Sequence, residues 1–184
     1  MSVNFFPLAG RGSDAIVAVL SDTVNGFNPF MVAAASHYDC DPYSLDFTVP
    51  QSDNFVLGQL NLADFYSDDN LALPAMGISV MSDMEDGTIE SARYSGSVTY
   101  QIELLLGMSG FNSPTDLYPS VCASHDAVIN ALNARENWAY WDTYKVNPLR
   151  RTQCIIEKPR VLGTDSSVVI QKLTFITGYF IGVV

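Results

Sequence analysis

Charge is scarce in this sequence, and one sign of it is nearly missing from half the chain. Only 16% of the 184 residues are Asp, Glu, Lys or Arg, against roughly a quarter in an ordinary soluble domain. Nine bases stand against 20 acids, for a net charge of −11. Residues 1–92 hold 13 acids and a single base, Arg11, whereas residues 93–184 hold seven acids and eight bases. So few cations exclude a protein that grips nucleic acid by neutralising phosphates. Cysteine is sparse too. Cys40, Cys122 and Cys154 are an odd set, which excludes a disulfide framework and points to a reducing compartment. No basic and apolar leader opens the sequence MSVNFFPLAGRGSD. No run reaches the roughly 18 apolar residues of a membrane span. The apolar end, LTFITGYFIGVV, is short and broken by Thr and Gly, and reads as a buried strand. There is no internal repeat and no low-complexity tract.

What is abundant is apolar and aromatic: 48% of the residues are hydrophobic, with ten Phe and nine Tyr. A chain of this length and composition forms one domain with a core of its own. Many aromatics beside little charge suit a surface partly covered by partners. A compact domain with long uncharged loops would read the same way.

Periodicity supplies the elements. SDAIVAVLSDTVNGF reads as a helix capped by Ser13, with Asp14 at its positive end. Its stripe is Ile16, Val17, Leu20 and Val24, and Asn25-Gly26 stops it. FMVAAASHY reads either as a strand or as a second short helical piece, with its alanines leaning helical. Residues 39–70 read as a long ordered insertion, with turns at Asp41-Pro42 and Asp53-Asn54, too polar for core and suited to contacts. LALPAMGISVMSDM is a strand through Ile78, Val80 and Met81, followed by a turn at Asp86-Gly87.

SVTYQIELLLGM is the clearest strand. Val98, Tyr100, Ile102 and Leu104 take one face, and Thr99, Gln101 and Glu103 the other. The alternation fails at Leu104-Leu105-Leu106, which predicts burial on both sides or a bulge. SHDAVINALNARENW is a helix opening at Ser124, with Val128, Leu132 and Arg135 on one face. RTQCIIEKPRVLG is a strand with Pro159 near its end. Residues 168–181 close the chain as a strand apolar on both faces, one of which is expected to meet another subunit. The fold class expected is α+β: a mixed, mainly antiparallel sheet packed by two helices, with a long loop insertion.

No catalytic or cofactor signature stands out, and none is expected: no enzyme, no metal, no cofactor. Gly10-Arg11-Gly12-Ser13 lacks the preceding strand and the lysine of a phosphate loop. His37-Cys40 and Cys122-His125 are pairs three apart that together form a chemically legitimate zinc set, but buried thiols and a histidine near a helix start explain them as well. The same two histidines are all that acid–base chemistry could draw on. Gly107-Met108-Ser109-Gly110 is one residue short of a nucleophile elbow. Asp83-x-Glu85-x-Gly87 has only the first half of a calcium loop. Trp138, Tyr140 and Trp141 follow the second helix and either close the bottom of the core or, with Phe175 and Tyr179, are candidate interface anchors.

The order of these segments resembles the tail-terminator and tail-completion (neck) proteins of tailed bacteriophages. An opening amphipathic helix, SDAIVAVLSDTV, is followed by LALPAMGISV and an exposed linker. The long strand YSGSVTYQIELLLG then leads through a loop into HDAVINALNARENW, and RTQCIIEKPRV and VVIQKLTFITGYFIGV close the pattern. The resemblance covers residues 13–24 and about 71–183, without the insertion. It implies a ring-shaped homo-oligomer, usually a hexamer, in the virion tail or neck and in host cytoplasm during assembly. Such a ring joins a tail tube or sheath protein to the head–tail connector protein. DNA passes through it without tight binding, it does no chemistry, and it touches no membrane. Carried over, the helix 124–138 and the strand 168–181 would be the frame, and the linker 82–94 and loop 107–123 the contacts. The acidic half suggests that Asp64, Asp68, Asp69, Asp83, Glu85 and Asp86 face the channel, where they would repel phosphate. Two other classes compete. One is a small hydrolase or metal-dependent nuclease, and the other a ligand-binding module with a pocket among the aromatics.

Overall fold

A computed structural model describes residues 8–48, 51–52, 54–60, 73–85, 96–109, 117–148, 152–158, 160–162 and 168–181. Its centre is two 14-residue antiparallel strands, β4 (Gly96–Ser109) and β8 (Val168–Ile181), in unbroken register from Gly96↔Ile181 to Ser109↔Val168. β3 (Ala75–Glu85) lies antiparallel on the other side of β4, with a bulge between Val80 and Ser82. β1 (Gln51–Ser52) and β2 (Phe55–Leu57) form a small hairpin, and β2 runs parallel to β3. Along the far side of β8 lies one interrupted strand in three pieces, β5 (Val146–Pro148), β6 (Gln153–Ile156) and β7 (Arg160–Leu162). The sheet is mostly antiparallel with one parallel pair, and the fold is α+β.

The strand alternation holds. Val98, Tyr100, Ile102 and Leu104 are buried under the helices, and Leu105 is buried on the opposite face with Leu60, Ala75 and Ile170. The Leu104–Leu106 run is therefore buried on both sides, and β4 keeps its register without a bulge.

Four α-helices, rather than two, cover the front face among the described residues. α1 (Leu8–Leu20) begins five residues before the expected Ser13 cap. Ser13 is inside the helix, and its hydroxyl donates back to the Ala9 carbonyl. Ala15, Ile16, Val19 and Leu20 are buried, whereas Val24 lies past the helix end and is exposed. Tyr100 donates its hydroxyl to Ala9 O at 2.7 Å and ties α1 to β4. α2 (Phe27–Tyr38) is helical, as the alanines suggested, and buries Phe27, Met31 and Ala35 at four-residue spacing. α3 (Tyr118–Asn133) starts six residues before Ser124, with Pro119 in its first turn, where a missing N–H costs nothing. Ser124 is buried mid-helix and donates to Ser120 O at 2.5 Å. A 3-10 turn (Arg135–Asn137) leads into α4 (Trp138–Tyr144). Arg135 is therefore outside the helical face it was assigned to.

The insertion departs most from expectation. Leu45 and Phe55 belong to the main core, with Tyr43 and Phe47 packed against it, and Leu60 to the back-face cluster. Asn28 holds the segment through a two-way amide pair with the Leu45 backbone, both bonds at 2.9 Å. The described part of the insertion thus builds core and sheet edge rather than reaching away as an arm. It also crosses the back of the sheet, and two glycines make room. A Cβ at Gly77 would lie 2.7 Å from the Gly58 carbonyl oxygen, and one at Gly107 would overlap the Leu73 side chain. Gly77→Val is expected to cost about 1–3 kcal/mol by forcing the backbone of the crossing segment outward. A urea midpoint unchanged from the parent would contradict that close approach.

Candidate functional site

Of the acids expected to face a channel, Asp64, Asp68, Asp69 and Asp86 lie outside the described residues. Asp83 and Glu85 sit on the far end of β3, in register with Val98 and Gly96. The backbone there is paired strand and not the loop that calcium would need.

The five interface candidates separate by the way α4 docks. Trp138 is 66% exposed, but Trp141 is only 5% exposed and stacks on Tyr179, ring centres 5.0 Å apart. Phe175 and Tyr179 point to the helix side of β8 and are fully packed. Burial pushes the Tyr179 hydroxyl up to about 12. Tyr140 is half-buried and donates to Asp22 Oδ2 at 2.6 Å. That bond, with the Asn25 and Val24 amides, holds the Asp22 carboxyl below its ordinary range. Trp141, Phe175 and Tyr179 are therefore core residues of this chain and not surface anchors. The second face of β8 is also less available than expected. Leu60 packs over Ile170, and both edges of β8 are paired within the chain.

α2 and α3 pack side by side, which places His37 on one helix, Cys40 just past its end, and Cys122 and His125 on the neighbouring helix. Tyr38 donates to Asp126 Oδ2 at 2.6 Å, and His125 Nδ1 lies 2.9 Å from Asp126 Oδ1. The Tyr38 bond to this carboxylate pushes its hydroxyl up to about 12. The carboxyl of Asp126 is itself held low against the cost of its partial burial by Tyr38 and His125. Among the described residues no group of three or more His, Cys, Asp or Glu side chains is placed to hold a metal ion.

Three features escaped the sequence reading. On the back face Glu103, 3% exposed, pairs with Lys172. Its oxygens also accept from the Leu60 amide at 2.7 Å and from Gln101 Nε2 at 2.8 Å. Glu103 had only the polar parity of its strand to mark it. The second feature is the outer edge of the sheet. β6 exposes Ile155 at 43% and Ile156 at 52%, and no described strand pairs with its outer side. The consecutive isoleucines were visible in the sequence, but not their position at the rim. The third is a cleft of about 360 Å³ between the end of α3, α4 and β5, lined by Leu132, Asn133, Trp138, Trp141 and Asp142, and closed by Asn147 and Pro148.

No helix among the described residues is long and apolar enough to cross a membrane. No family model matches the chain, and no curated protein matches it.

Proposed function

We propose that this chain is a structural virion protein that forms a ring at the head-proximal end of a bacteriophage tail or in its neck. The observation that carries the reading is the outer edge of β6, which no described strand pairs, with its two exposed isoleucines. A sheet edge that is both open and apolar is a liability for a monomer and a ready contact for another copy. At the opposite end the last described strand is the two-residue β1, so the two ends of the described sheet differ. Unlike edges favour a heterologous contact, which leaves no surface unsatisfied only when rotation closes it into a ring. The number six comes from the family resemblance and not from geometry.

The neighbours in this reading are a tail tube or sheath protein on one side and the head–tail connector on the other. DNA passes through without being held, in keeping with the net charge of −11. The ring performs no chemistry. Imaging of the assembled particle is expected to show this chain in cyclic symmetry. Ile155→Lys with Ile156→Lys should abolish the ring while leaving the circular dichroism spectrum intact. A single copy per particle, or a ring that survives both lysines, would remove the basis for the proposal.

A further inference from the structure

We infer that the cleft between α3 and α4 is a binding site for an arginine side chain presented by a partner protein; the inference stands apart from the ring reading. Between apolar Leu132 and Pro148, three groups on its wall suit a planar cation with many donors. Trp138 offers an exposed indole, the ring best suited to hold a cation over its face. Asp142 is the only ionised residue among the described residues lining the cleft. Asn133 donates one of its two amide N–H groups to the Ile129 carbonyl at 2.7 Å, and its side-chain carbonyl oxygen is left to accept in the cleft.

The backbone adds to this. Leu132 and Asn133 are the last residues of the 16-residue α3, whose final turn contains no basic side chain. The carbonyl end of that helix, with its partial negative charge, therefore borders the cleft. Arg135 follows two residues later, is exposed, and does not line the cleft. One cation is already drawn to the rim: Lys145 Nζ lies 3.3 Å from Asp142 Oδ1. Both side chains are solvent-exposed, so the pair is weak and readily displaced. A guanidinium supplies five donors and no acceptor, stacks flat on an indole, and can take a carboxylate with two parallel bonds. The volume, about 360 Å³, is at the small end of ligand pockets and suits one long side chain.

The chain has two tryptophans, and both line this cleft, so intrinsic fluorescence reports on it directly. N-acetyl-arginine amide, titrated at constant ionic strength, is expected to change that emission saturably. N-acetyl-citrulline amide, the uncharged isostere, should bind about threefold to fivefold more weakly or less well still. Asp142→Asn should reduce arginine affinity by a similar factor, and Trp138→Ala should remove the response of the remaining Trp141. Equal binding of citrulline overturns the assignment. So does an arginine response that never saturates, or a saturable response to methyl glucoside with none to arginine.

Discussion

Lys172→Met is expected to destabilise the fold by about 3 kcal/mol, the low end of what breaking a buried ion pair costs. The substitution leaves Glu103 charged and enclosed beneath the Leu60 crossing. The low end applies because Lys172 is itself 19% exposed and because Glu103 keeps its bonds from the Leu60 amide and Gln101. Glu157, 3.7 Å from Lys172 on the far side, is better hydrated and loses less. The informative variant is the double one. Glu103→Gln with Lys172→Met leaves no buried charge, and the glutamine oxygen can still accept from Leu60. It is expected to recover at least half of the loss. Urea midpoints for the two single variants and the double complete the cycle. A double variant as unstable as the sum of the singles would mean that the pair carries no coupling.

The second large effect distinguishes two tryptophans three residues apart. Trp141→Ala is expected to cost about 3–5 kcal/mol, because it empties a site packed on Tyr179. Tyr179 in turn packs on Tyr100, ring centres 5.9 Å apart, so the cavity would open at the middle of the helix–sheet interface. Trp138→Ala should change stability by no more than about 0.5 kcal/mol, as expected for an exposed side chain without a partner network. Thermal or urea unfolding of the two variants measures both. The reverse ranking would mean that α4 is turned about its axis by about 60°, the angle between residues three apart on a helix, and would dissolve the cleft described above.

Strand parity was legible because it is local. A period of two in Val98, Tyr100, Ile102 and Leu104 places these residues on one face whatever the rest of the chain does. Helix starts were less legible. Ser124 reads as the opening of α3, but whether the helix begins there or earlier depends on whether Val121 and Ala123 have something to pack against. They do, in α2 and the sheet, so the helix extends back to Tyr118 and Ser124 becomes an interior residue. The same holds for Ser13 in α1, where Tyr100 receives the earlier turn.

The candidate sites were legible by residue type and not by position. Trp138, Tyr140, Trp141, Phe175 and Tyr179 read as interface anchors, but Trp141, Phe175 and Tyr179 pack inside the chain, because what an aromatic side chain packs on is not a local property. The insertion was misread as too polar for core. Its apolar residues are single and widely spaced, yet Leu45, Phe55 and Leu60 each reach a buried site because the segment winds past the helices and behind the sheet.

The sequence by itself determined the acidic charge and its uneven placement, the α+β class, the faces of the longest strand, and the capacity for a core without disulfides. All of these follow from composition or from periodicity within a few turns of chain. Tertiary structure alone decided which aromatics are core and which are surface, where the insertion goes, and that Glu103 meets Lys172. It also decided that α3 ends over a cleft walled by indoles and a carboxylate. Those outcomes depend on docking angles and on contacts between residues far apart in the chain, such as Leu60 with Glu103 and Trp141 with Tyr179. Burial is a property of the whole packed chain, and no local stretch of sequence carries it.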